Sequence, residues 1–179
     1  MSSLFSYFVN LCLFRVGPQD APTSESILYA TGIVLAISYT VMNTAFESIG
    51  ERIIVATTQV IIFSGVIWLL LKINNLTDRW RQTTIALFGS AAVLELAKMP
   101  FMLLGTDTDP ELTGVKGPFM LHVLVGFWYL AIMATICKKA LGTSMGRGVI
   151  AAIFCQLSTV FGLLLVLRAI GLVPGPDAM

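Results

Sequence analysis

Five apolar stretches dominate this chain, at about 24–46, 53–73, 83–104, 117–137 and 148–167. Each is close to the roughly 20 residues that an α-helix needs to cross a hydrocarbon layer about 30 Å thick. A soluble core cannot hide five such blocks in 179 residues, whereas a bilayer can. Charge points the same way: 12% of residues are charged and 56% hydrophobic, against about 25% charged in soluble domains. Mean hydropathy is +0.87. Backbone groups inside lipid must be paired within their own segment, which selects helices over an open sheet. The expected fold is therefore all-α, a polytopic membrane helix bundle of about five transmembrane helices. Residues 24–170 form the transmembrane domain and 171–179 a short tail.

Residues 1–17 precede these blocks. Ser3, Ser6 and Asn10 recur at helical spacing, while Leu4, Phe5, Phe8, Leu11 and Cys12 fill the opposite side. That amphipathic pattern predicts a helix lying in the interface plane, with Phe5, Phe8, Leu11 and Arg15 as its anchor. A secretory signal is excluded by order, since Arg15 follows the apolar run and no small-residue cleavage site comes after it. Gly17-Pro18-Gln19-Asp20-Ala21-Pro22 then ends the helix, because two prolines hold the backbone away from helical continuation. Ser24 is the expected N-cap of the first span.

Orientation follows from the cations between spans. Arg15, Lys72, Arg79, Arg81, Lys138, Lys139 and Arg147 fall on one side, and Arg52, Lys116 and Arg168 on the other. The richer side is expected in the cytoplasm, which puts the N-terminus inside and the C-terminus outside a plasma membrane. Trp68 and Trp80 flank the inner boundary, a level that indole rings favour.

Ionisable side chains inside a span cost roughly 2.5–3.5 kcal/mol on insertion scales, so each needs a reason. At about 1.5 Å per residue, Glu95 lies about 18 Å and Lys98 about 22 Å from the cytoplasmic side. His122 lies about 7 Å below the outer boundary, near the level of Lys98. Asn43 and Gln59 also fall in the outer half. Glu95, Lys98, His122, Asn43 and Gln59 thus form a candidate intramembrane polar cluster drawn from four helices. Three readings compete. The cluster is a substrate or proton site, or it binds a partner, or Glu95 and Lys98, three apart on one helix, simply neutralise each other.

Several patterns carry less. Asn43 and Glu47 share a helix face and suit helix-end solvation. Asp107, Asp109 and Glu111 alternate but lack the remaining ligands and central glycine of a calcium loop. Cys12, Cys137 and Cys155 are widely spaced and suit small apolar roles. A single histidine argues against a multi-histidine metal or haem site, and no hydrolase or zinc-protease signature occurs. No catalytic residue, metal or cofactor is expected, nor any nucleic-acid partner at a net charge of +1. Gly89, Ser90, Ala91 and Ala92 form a small-residue face suited to close helix contact.

Ala97-Lys98-Met99-Pro100-Phe101-Met102-Leu103, Phe127-Trp128-Tyr129-Leu130 and Lys138-Lys139-Ala140-Leu141-Gly142, continuing to Arg147, resemble the late spans of bacterial Yip-domain proteins. That family is built of five spans, N-terminus in and C-terminus out. Its eukaryotic Asp-Leu-Tyr-Gly-Pro motif is absent, so trafficking partners do not carry over. The resemblance implies a non-enzymatic protein of the bacterial inner membrane that acts through partners. Two functions are expected from the sequence. One is an accessory, scaffold or assembly subunit working with other membrane subunits or as a homo-oligomer in the bilayer. The alternative is a small oligomeric transporter or channel using the polar cluster.

Overall fold

The computed structural model describes residues 4–43, 46, 48–104 and 117–172, apart from the side chains of 101–104, 117–119, 121 and 122. Among the described residues six α-helices follow in order: α1 (Leu4–Cys12), α2 (Glu25–Met42), α3 (Ile49–Ile73), α4 (Trp80–Leu104), α5 (Gly117–Leu141) and α6 (Met145–Ala169). Single 3₁₀ turns lie between α1 and α2 (Pro18–Asp20) and between α3 and α4 (Thr77–Arg79). The described residues contain no strand, so the all-α expectation holds. Glu47, the acidic residues Asp107, Asp109 and Glu111, the His122 side chain and the tail 173–179 lie outside the described residues.

Four of these helices contain stretches long and apolar enough to cross a membrane: Glu25–Met42, Ile49–Ile73, Val123–Leu141 and Met145–Ala169. The fifth expected span, α4, is 25 residues long but less apolar. Its place in the bundle explains why. Every residue from Thr83 to Ala92 is buried, so the first half of α4 is sheathed by protein around its circumference and tolerates Thr83, Thr84 and Ser90. Phe88 packs near Phe63 of α3 with ring centroids 5.9 Å apart.

The N-terminal helix is more than a surface anchor. Phe8, Leu11 and Cys12 are buried against the bundle, while Phe5 is 64% exposed and Arg15 is exposed as well. The anchor set expected from sequence is thereby split between two faces. Gly89 makes the docking possible: a Cβ there would come within 2.1 Å of the Phe8 ring. Trp128 donates its indole N–H to the Cys12 carbonyl at 3.2 Å, and Tyr7 donates its hydroxyl to Gly17 O at 2.9 Å. The chain reverses at Phe14, whose φ of 61° is left-handed, and the Phe14 ring centre lies 6.0 Å from that of Trp128. At Gly17, the backbone N–H donates to Asp20 Oδ2, closing the 3₁₀ turn on its own side chain.

The ends of the bundle differ in charge. Lys72, Arg79, Arg81, Lys138, Lys139 and Arg147 collect at one end, the basic end, and several are tied into the structure. Arg79 donates to the Ala140 carbonyl at the close of α5 (2.9 Å), and Lys139 to Val16 O (3.1 Å). Arg81 pairs with Glu25, and the Lys72 ammonium sits 4.4 Å from the Trp68 ring centre. Ser24 occupies the expected N-cap position of α2 but its side chain makes no capping bond.

Candidate functional site

Away from the basic end, α2, α3, α4, α5 and α6 part to leave a half-open cavity of about 330 Å³. Four of the five residues proposed from sequence line it: Asn43 at the end of α2, Gln59 from α3, and Glu95 with Lys98 from α4. His122, the fifth, belongs to α5. The juxtaposition follows from depth. Helices that cross the same layer bring residues of equal depth to one level, and a polar side chain turns away from apolar surroundings towards other polar groups.

Glu95 and Lys98 are bonded, Nζ to Oε1 at 2.7 Å, with side-chain exposures of 17% and 6%. The i,i+3 spacing places them one turn apart on the same face. Neutralised this way, the pair avoids the several kcal/mol that an uncompensated buried ion costs. Pro100 lies just beyond and has no N–H, which removes the helical donor for the Leu96 carbonyl.

Sequence reasoning missed three contributors. Tyr39, Tyr129 and Gln156 also line the cavity. Tyr39 was within reach of the sequence, four residues before Asn43 and on the same helical face. Gln156, an amide inside an apolar block, carried the same signal as Gln59. Tyr129 carried none, because a tyrosine in a span is ordinarily an apolar filler with a polar tip.

The polar capacity of the site is largely unspent. Tyr129 Oη is buried with no hydrogen-bond partner among the described residues. Within the same set, the side-chain amides of Asn43, Gln59 and Gln156 make no hydrogen bond. A buried hydroxyl such as that of Tyr129 is normally satisfied, and leaving its bond unmade costs about 1–3 kcal/mol, whereas the three amides are half-buried or exposed and free to bind. Glu95 and Lys98 cancel in charge, with a cation and an anion side by side and neutral donors and acceptors around them. That arrangement suits binding and orientation. Among the described residues there is no group of three or more His, Cys, Asp or Glu able to hold a metal.

A larger hollow of about 770 Å³ lies between α2 and α3. It is lined mainly by apolar groups such as Ile33, Ile37, Val60, Trp80 and Phe88. The Thr40 hydroxyl in it is already spent on the Ala36 carbonyl, so the hollow offers little chemistry.

No family model, no curated protein and no solved structure matches the chain. Its function is therefore read from the cavity itself.

Proposed function

We propose that this chain is a multi-pass membrane protein that binds the polar part of a ligand in the cavity bordered by Glu95 and Lys98, as a transporter or channel subunit does. In this reading α4 is a fifth span, shielded from lipid by the others over its first half. The basic end lies in the cytoplasm, by the excess of Lys and Arg there, and the cavity belongs to the outer half of a bacterial inner membrane. The layout-level likeness to Yip-domain proteins is compatible with this arrangement and is proposed on the same footing.

One observation carries the reading. The Glu95–Lys98 pair borders a cavity whose other polar groups are unpartnered among the described residues, where a purely structural pair would be sealed by close packing. At 330 Å³ the space would hold on the order of ten waters. It sits at the lower end of the volume range typical of small-molecule sites.

Cysteine accessibility tests this. With Cys12, Cys137 and Cys155 replaced by Ala, Gln59→Cys should react with a charged, membrane-impermeant methanethiosulfonate added outside. Phe63→Cys, one turn away and buried, should stay unreacted. If both are inert, the cavity is closed to solution and the ion pair is structural.

The accessory-subunit reading draws support from α1 and the turn after it, buried on one side and baring Leu4, Phe5, Leu13 and Phe14 on the other. A partner held there would be lost on purification of a Phe5→Ser, Phe14→Ser variant; an unchanged set of co-purifying proteins counts against it.

A further inference from the structure

Three hollows meet at two side chains. Tyr129 and Gln156 line the polar cavity, a small void of about 30 Å³ beside it, and a groove of about 280 Å³ along the α5–α6 seam. Apart from these two, the groove is lined by Val123, Gly126, Phe127 and Leu130. Gly126 also borders the polar cavity. At this point, then, the barrier between the polar interior and the groove consists of a residue without a side chain, one tyrosine and one glutamine.

The groove faces the apolar surroundings of the bundle. Val123, Leu124 and Phe127 of α5 and Ile153, Phe154, Leu157 and Val160 of α6 are all exposed. Gln156 is exposed among them, eleven residues into α6, or about 16 Å from its start. A bare amide at such a depth is costly, and it makes no hydrogen bond within the described residues. Gly126 is exposed, and among the described residues a Cβ added there would meet nothing within 4 Å. On its inner side the gap is bordered by Tyr129, whose Oη is buried and has no hydrogen-bond partner among the described residues.

We infer that the cavity admits its ligand sideways, between α5 and α6, and that the ligand is a zwitterionic phospholipid; this rests on the reading of the cavity as a ligand site. An aqueous solute has no use for an apolar groove joined to its site, whereas an amphipath needs both parts. The acyl chain lies along Val123, Phe127 and Leu130, and the head passes Gly126 and Gln156. Lys98 spends one N–H on Glu95 and keeps donors for a phosphate oxygen. Glu95 keeps an oxygen for the ammonium. A head with separated charges and no net charge matches a site with one cation and one anion. A net anionic head would leave an uncompensated charge in a low-dielectric interior.

Native mass spectrometry of the full chain in mild detergent tests this, with equal amounts of phosphatidylethanolamine and phosphatidylglycerol added. The expected result is preferential retention of phosphatidylethanolamine. Gly126→Leu, which fills the gap, should cut retention about tenfold, equivalent to roughly 1.4 kcal/mol. Gly65→Leu, at an equally open glycine on α3, should leave retention unchanged. If Gly126→Leu does not fold, Gln156→Ala is read for the same loss. Equal retention of both lipids, retention unaffected by filling the gap, or a lipid-free dimer that covers Gln156 overturns the inference. Reaction of Gln59→Cys with the charged reagent but no retained lipid rejects lateral entry alone. Failure of both rejects the ligand site as well.

Discussion

The same two helices close at one end and open at the other, and two glycines mark the difference. Near the basic end Gly148 of α6 lies against α5 so closely that a Cβ would stand 2.5 Å from the Ala134 carbonyl oxygen and 2.9 Å from Lys138 Cβ. Ile132, Met133, Ile136, Ala140, Ala152 and Cys155 are buried around it. Further along, Gly126 of α5 has empty space where a Cβ would go, and α6 leans on α3, where Gly162 meets Ile62. Glycine thus does opposite work in one helix pair. It permits backbone contact where the bundle is sealed, and it leaves a gap where polar residues line the interior. A membrane bundle gains little from burying apolar surface against protein in preference to lipid, so close contact through small residues is what holds such helices together. The basic end has that contact and the far end gives it up.

The contrast can be broken most severely at Gly148. Gly148→Leu forces a side chain into backbone atoms that cannot swing aside, and overpacking of this kind costs about 3 kcal/mol. A thermal melt in detergent should show a larger loss than any other single substitution at a glycine of the bundle. An unshifted midpoint would mean that α5 and α6 are not in contact at this point.

A smaller effect is expected at Gly89, where the obstacle is the Phe8 ring on a short docked helix. Gly89→Leu should release α1 at a cost of about 1–2 kcal/mol while α2 to α6 stay assembled. Cys12 reports the release. Burial pushes its thiol up to about 11, and only the thiolate reacts with maleimide. In the native chain labelling should stay slow until the pH nears that value. Freed from the bundle, the thiol should return towards about 8.5 and label progressively as the pH rises through that range. Identical pH profiles for the two proteins would show that α1 does not depend on the Gly89 notch.

Much of the site was legible because lipid makes polar residues conspicuous. Asn43, Gln59, Glu95 and Lys98 were placed at one level by counting residues from span ends, and the spacing of Glu95 and Lys98 gave their pairing. Depth gives level but not which way a helix face turns, and it could not say that Tyr129 would end beneath the gap at Gly126. Nor could it rank the spans by centrality, although Thr83, Thr84, Ser90, Glu95 and Lys98 together made α4 the least lipid-like of the five. The docking of α1 lay furthest from reach. It depends on one ring fitting above one glycine, Phe8 on Gly89, between segments far apart in the chain. An amphipathic pattern announces a helix with two faces without naming what either face meets.

The mildest test sits at the open end. Gly126→Ala adds a methyl group to a helix interior where nothing among the described residues stands within 4 Å. The change trades the poorest ordinary helix former for the best, worth up to about 1 kcal/mol in favour of the fold. The same substitution at Gly148 should go the other way, since even a single methyl meets the Ala134 carbonyl. Opposite signs from one chemical change, on two helices that pack together, would establish that the seam is closed at one end and open at the other. A loss of stability at Gly126 would mean instead that α5 and α6 come together there in the membrane. The gap would then be shut, and with it the lateral path to Glu95 and Lys98.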